Sequence, residues 1–308
     1  MRKLILILIA LLIPWLNSYS QNITQAEGRL IPVNGTELYV KAIGSGEPVI
    51  VVHGGPVLDH SYLYHHLEPL SKDYRLIFFD QRLSGRSSAD IDSADISLNA
   101  FIEDIEALRK ELNFGKVHIL GHSWGGLLAM KYAIRYPDHV IKLMLINSMA
   151  PTSKLWQKEV AVLASSSSRA DSLQRQKIMQ SRNFRENKPQ AIEKLLELSF
   201  KNQFYDPENA ALLDLFVPED YMKRSRLFGN LMPYLSSYDL TDELRKLNIP
   251  TLIMYGRAEP AADISGPVLN RLITNATFTL IDESGHFPFI EQPMKFRETV
   301  SNFINDPK

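Results

Sequence analysis

Unbroken apolar runs of strand length, separated by segments of helical periodicity, constrain this chain more than any other feature. Pro48-Val-Ile-Val-Val52, Arg75-Leu-Ile-Phe-Phe79, Lys116-Val-His-Ile-Leu120, Val140-Ile-Lys-Leu-Met-Leu-Ile146, Pro250-Thr-Leu-Ile-Met-Tyr255 and Thr277-Phe-Thr-Leu-Ile281 are such runs. A strand apolar on both sides must be covered on both sides, as it is inside a parallel sheet. Between the runs, residues 62–70, 126–136 and 268–273 read as helices. So does the segment in which Leu98, Phe101, Ile102, Ile105, Leu108 and Leu112 recur. Residues 296–304 close the chain as an amphipathic helix. Alternation of this kind builds βαβ units. The fold class expected is α/β, a mostly parallel central sheet flanked by helices. Residues 29–33 and 37–43 around Asn34-Gly35 predict a β-hairpin at its start.

The alternation stops at about Pro151. Residues 151–238 are polar, helical in pattern and free of strand signals, with Ala164-Ser-Ser-Ser-Ser168 as a breaker expected to form a mobile turn. The expected organisation is one core, residues 21–150 and 239–308, interrupted by a helical cap at 151–238. Ahead of it, Arg2 and Lys3 precede an apolar stretch from Leu4 to Leu16, then small Ser18 and Ser20. That is the pattern of a signal peptide cut after Ser20, and it predicts export to the periplasm or beyond. Membrane contact is then expected only through this segment. The formal net charge of -1 offers no basic field for nucleic acid. There is no cysteine, which excludes disulfides, thiolate metal sites and a cysteine nucleophile.

Gly121-His-Ser-Trp-Gly125 has the form G-x-S-x-G between a predicted strand and a predicted helix, the context of a nucleophile elbow. Glycines let the backbone double back around Ser123, and the helix N-terminus behind it suits a developing oxyanion. A serine hydroxyl needs a base. His286, in Asp282-Glu-Ser-Gly-His286 after the last strand, is the candidate. The acid that orients it follows the penultimate strand in this chain order, which gives Glu259, with Asp263 as rival and Asp282 or Glu283 as outsiders. The oxyanion hole is expected from the N–H groups of Trp124 and Gly55, the latter in His53-Gly-Gly-Pro56. His53 itself reads as a core histidine bonded to loop backbone. Asp80-Gln-Arg-Leu-Ser-Gly-Arg-Ser87 reads as a buried ion-pair network bracing the loops. His60, His65 and His66 match no metal spacing and are expected at the surface or cleft rim.

His53-Gly-Gly-Pro56, Asp80 to Ser87, Gly121-His-Ser-Trp-Gly-Gly126 and Gly285-His286-Phe-Pro-Phe-Ile-Glu-Gln-Pro293 together resemble the proline iminopeptidase-like branch of the α/β-hydrolases, a group of serine aminopeptidases. The resemblance covers residues 28–150 and 240–305. It implies an α/β-hydrolase fold with a helical cap over the site. The branch usually carries glycine where this chain has Val57, Leu83 and His122, and aspartate where it has Glu259. In its aminopeptidases, cap carboxylates hold the substrate amine; none of Glu193, Glu197, Glu208, Glu219 or Asp220 matches that pattern.

The function expected is an exported serine hydrolase, foremost an aminopeptidase releasing N-terminal proline or small apolar residues through an acyl-enzyme. A carboxylesterase or lactonase on small acyl substrates is the alternative, and a non-catalytic ligand-binding protein the third reading. No metal or organic cofactor is required. The expected partner is a small peptide or acyl substrate.

Overall fold

The computed structural model describes residues 27–307 except Pro56, Ser166 and Ser167. The expected signal peptide and its cleavage point lie outside the described residues, as do the proline of His-Gly-Gly-Pro and the middle of the serine run. Eight strands form one sheet in the order β1-β2-β4-β3-β5-β6-β7-β8. They are β1 (Arg29–Val33), β2 (Thr36–Ile43), β3 (Glu47–Val52), β4 (Tyr74–Phe79), β5 (Val117–His122), β6 (Val140–Ile146), β7 (Thr251–Gly256) and β8 (Ala276–Ile281). β1 and β2 pair antiparallel, as do β2 and β4; every other neighbouring pair is parallel. Asn34 and Gly35 both sit at positive φ, 41° and 75°, the geometry a two-residue hairpin turn needs.

The strands are apolar on both sides because both sides are covered. Val49, Val51, Met144 and Met254 share one cluster with Leu63 and Leu67 of α1 (Ser61–Leu67) and Phe296 and Val300 of α14 (Pro293–Asn305). Ile50, Val52, Leu145 and Ile253 share the opposite cluster with Ile105 and Leu108 of α2 (Leu98–Glu111) and Leu127 and Leu128 of α3 (Trp124–Arg135). Full burial of each such side chain contributes about 1.5–3 kcal/mol. On that second face α11 (Pro260–Ile264) and α12 (Gly266–Leu272) follow β7, while α13 (Pro288–Glu291) packs on the first face ahead of α14.

Between β6 and β7 run α4 (Ser153–Ser165), α5 (Arg169–Gln180), α6 (Arg182–Arg185), α7 (Pro189–Phe200), α8 (Tyr221–Phe228), α9 (Met232–Leu235) and α10 (Thr241–Leu244). No strand lies among the described residues of this stretch; one isolated bridge joins Thr152 to Asp239. Ser168 starts α5 with a reciprocal capping box to Asp171.

Two local expectations are corrected. β5 runs on to His122 and α3 begins at Trp124, so the only residue between strand and helix is Ser123. Glycines 125 and 126, poor helix formers, lie inside α3 because the helix must press closely on Val52 and His53 at the end of β3 and on Ser148 beyond β6. His60 is not at the surface or rim: it is 4% exposed, and its Nδ1 meets Asp80 Oδ1 at 2.6 Å. A buried carboxylate needs a partner, and His60 supplies it. His65 is exposed and His66 half-buried.

Candidate active site

Parallel strands gather the chemistry at their carboxyl ends. β3 leads into His53, β5 into Ser123, β6 into Asn147, β7 towards Glu259 and β8 towards His286. Ligands of open α/β sheets bind in the crevice outside those ends.

Ser123 has φ 55° and ψ -121°, a conformation that L-residues avoid. The turn is pinned on both sides. Its N–H donates to Ile146 O at 3.1 Å, and its carbonyl accepts from Gly126 N–H at 2.9 Å and Met149 N–H at 3.0 Å. A Cβ at Gly125 would lie 2.1 Å from Val52 O, so only glycine lets α3 approach β3 there. Trp124, the first residue of α3, has an N–H with no carbonyl one turn back to receive it.

His286 Nδ1 lies 2.8 Å from Glu259 Oε2, both residues being buried. A carboxylate accepts, so Nδ1 carries the proton and Nε2 keeps its lone pair. Asn147 Nδ2 donates to the same Oε2 at 3.4 Å and to Gly285 O at 3.2 Å, which ties the two loops together. The rival acids stand elsewhere: Asp263 is exposed, Asp282 pairs with Arg257, and Glu283 is exposed with φ 52°.

Ser123, His286 and Gly55 line one cavity of about 10 Å³ together with Leu58, Phe200, Leu213, Leu215 and Phe287. That is room for about one water. The serine hydroxyl and the imidazole share this cavity without a hydrogen bond between them. Phe200, Leu213 and Leu215 come from the stretch between β6 and β7, and His286 N–H donates to Gln203 O of that stretch at 2.7 Å. Gly54 N–H is occupied by the Tyr62 hydroxyl at 2.6 Å, which leaves Gly55, at φ 59°, to face the cavity.

Behind this floor lies the ion-pair network. Arg82 grips Asp104 with two bonds of 2.7 Å, and Arg86 reaches Asp59 at 2.6 Å. Gln81 receives Trp124 Nε1–H at 2.8 Å and donates to His53 O at 2.6 Å. His53 Nε2 accepts from Gln81 N–H at 3.0 Å, and burial pulls its pKa down to about 4. Asp59, His60 and Asp80 form the one cluster among the described residues with metal-binding donors. Arg86 and Ser61 already bond Asp59, and His60 and the Arg86 N–H already bond Asp80, so the cluster is an ion-pair core.

Sequence reasoning missed three residues here: Tyr62, Asn147 and Glu159. Asn147 follows a strand at the carboxyl edge, a position that could have flagged it. Glu159 of α4 is buried and accepts from the Ser265 hydroxyl. Burial and the nearby Glu259 charge push its carboxyl up to about 7.

A mostly parallel eight-stranded sheet with a serine elbow after its central strand defines an α/β-hydrolase. The chain belongs to the alpha/beta hydrolase fold family, whose profile matches residues 47–293. Within it the chain is proline iminopeptidase-like. It is 27% identical over 287 residues to the proline iminopeptidase of Heyndrickxia coagulans, covering 85% of this chain and 92% of that one. The crystal structure of the proline iminopeptidase from Mycobacterium smegmatis superposes with a TM-score of 0.68 at 20% identity, over 90% of this chain and 97% of that one. An esterase from Exiguobacterium antarcticum superposes with a TM-score of 0.64 at 26% identity, over 91% and 100%.

Proposed function

We propose that the protein is a serine hydrolase that works through an acyl-enzyme on Ser123 and accepts small, uncharged acyl groups. The observation that carries the proposal is that a strained serine and His286 line one cavity, with Glu259 bonded to the far nitrogen of the imidazole. His286 Nε2 takes the Ser123 proton as Oγ bonds to the substrate carbonyl carbon. Trp124 and Gly55 N–H groups receive the oxyanion. The tetrahedral adduct collapses, the leaving group departs with the proton from His286, and water deprotonated by the same imidazole hydrolyses the ester. Glu259 holds the ring and stabilises its charged form.

The wall of the cavity selects the acyl group. Leu58, Phe200, Leu213, Leu215 and Phe287 are apolar, Tyr62 and His122 add polar edges already bonded to each other, and no carboxylate lines it among the described residues. An ammonium group would enter without a counter-charge, at a large desolvation cost. This favours an ester or lactone of a short acyl chain, and the Exiguobacterium protein that the chain resembles is an esterase. The aminopeptidase reading rests on the proline iminopeptidase relatives, which match over 85–91% of the chain. Export is proposed on the N-terminal pattern alone; mature protein from the natural host beginning at Gln21 would support it, and retention of Met1 would end it.

Fluorophosphonate labelling and a panel of acyl esters and aminoacyl arylamides test the proposal. The expected result is an adduct on Ser123 and turnover of short-chain esters above any arylamide. Faster cleavage of prolyl arylamide would transfer the assignment to the aminopeptidase. Folded protein with neither adduct nor turnover would remove the hydrolase reading.

A further inference from the structure

We propose that Tyr62 and His122 are positioning residues for the reaction, because a buried chain of hydrogen bonds through them ties the loop that presents Gly55 N–H to the loop that presents the His286 imidazole. The inference rests on the serine-hydrolase reading above. His122 occupies the variable position before the nucleophile, and Tyr62 stands in the first turn of α1, sixty residues away. His122 Nε2 is 2.9 Å from the carbonyl oxygen of His286. A carbonyl only accepts, so this nitrogen carries hydrogen. The ring is 1% exposed and burial keeps it neutral, followed in effect by the neighbouring His286. Nδ1 is therefore an acceptor, and the Tyr62 hydroxyl, 2.7 Å away, donates to it. The same oxygen accepts the Gly54 N–H at 2.6 Å. Each bond in the chain has one possible direction, so donor directions are fixed from Gly54 through Tyr62 and His122 to His286.

Two consequences follow for the chemistry. Gly54 is packed so closely that a Cβ on it would lie 2.7 Å from Ser123 Cβ. Anchoring its N–H fixes one side of Gly54, and the close packing restrains the two torsions that lead to the next peptide, so together they hold Gly55 N–H toward the oxyanion position. At the other end, His286 is held by both main-chain groups, N–H to Gln203 O at 2.7 Å and C=O to His122. The imidazoles of His122 and His286 lie 4.8 Å apart between ring centres. A neutral ring there leaves His286 free to become cationic without a like charge beside it.

Tyr62→Phe removes the hydroxyl and keeps the ring. Expected are a fall in kcat of about 10- to 100-fold, smaller than or near that for outright loss of an oxyanion donor, and a KM within about threefold. Affinity for a short alkyl boronic acid, which mimics the tetrahedral adduct, should fall in step with kcat. A merely structural residue would lower the melting temperature without this split. A folded Tyr62→Phe with unchanged kcat, or one whose loss is all in KM, would overturn the inference. If Tyr62→Phe does not fold, His122→Asn decides it: its short amide keeps the Tyr62 acceptor but cannot reach the His286 carbonyl, so kcat should fall at constant KM, and unchanged kcat would refute the proposal. Wild-type protein that takes no fluorophosphonate would instead overturn the serine-hydrolase reading itself.

Discussion

Two buried branched apolar side chains stand in backbone conformations that favour glycine, and they show what composition hides. Val57 has φ 67° and Leu83 has φ 64°. These are positions where the resembling branch usually carries glycine, and in this chain both stand in the left-handed region. Left-handed strain costs an L-residue about 1–2 kcal/mol. What offsets it is burial, since Leu83 is 0% and Val57 2% exposed. The magnitudes separate the two sites. Leu83→Gly gives up about 2–5 kcal/mol of packing and a further 0.5–1 kcal/mol of chain entropy, against that strain relief. It should destabilise by about 1–4 kcal/mol. Val57→Gly gives up about 1.5–3 kcal/mol of packing and the same chain entropy against the same strain, so it should destabilise by about 0–3 kcal/mol, less than Leu83→Gly. Urea midpoints of the two variants check this; a stabilised Leu83→Gly would show that strain outweighs packing. The departures from glycine were visible in the sequence, but not that both positions are left-handed, because nothing in a local string of residues reports φ.

Elements were legible where periodicity is strong. All the apolar runs became strands within about two residues, because a run buried on both faces has no other use. The start of α3 was not, since propensity argues against a helix opening on Trp-Gly-Gly. Tertiary contact overrides propensity there: the helix can sit on β3 only if position 125 has no side chain. An added methyl would lie 2.1 Å from Val52 O and 2.5 Å from His53 O, both backbone atoms that cannot swing aside. Gly125→Ala should therefore cost about 1–3 kcal/mol or more and displace Ser123, lowering activity with stability. Gly115→Ala is the control, with nothing within 4 Å of the new methyl; it should be neutral or stabilising by up to about 1 kcal/mol. Equal melting temperatures for the two variants would contradict the close-approach account. His60 was misplaced for a related reason: its carboxylate partner lies twenty residues on, and the pairing exists only once β4 is beside β3.

At the scale of the whole molecule, the site's elements come from distant parts of the chain, and the groups this crowds together titrate against one another. The pair Glu259–His286 was readable from strand order. The approach of Glu159 to it was not, because α4 reaches α11 only by folding back across more than a hundred residues. Burial gives these groups opposite effects on stability. His53, pulled down to about 4, and His122, held well below its ordinary value, stay neutral in the fold and protonate more readily in the unfolded chain. The unfolded state then binds more protons, and stability falls as pH drops from about 6.5 towards 4. Glu159, pushed up to about 7, works the other way. Its folded form holds a proton that the unfolded chain releases from about pH 4.5 upward, so its contribution is full below that pH and lost as pH rises through about 7. The contributions of Glu159 and His53, each at most about 3.4 kcal/mol, nearly cancel between pH 4.5 and 6.5, and His122, His118 and His66, all lowered by burial, add acid sensitivity of the same sign as His53. Glu159→Gln, which can still accept from Ser265, removes the counterweight. Its stability relative to wild type should rise by about 1–3 kcal/mol between pH 4.5 and 7 and be level on either side. Denaturation curves across pH 4 to 8 measure that difference, and a difference that does not vary with pH would mean that the Glu159 carboxyl is not shifted by its burial beside the Glu259–His286 pair.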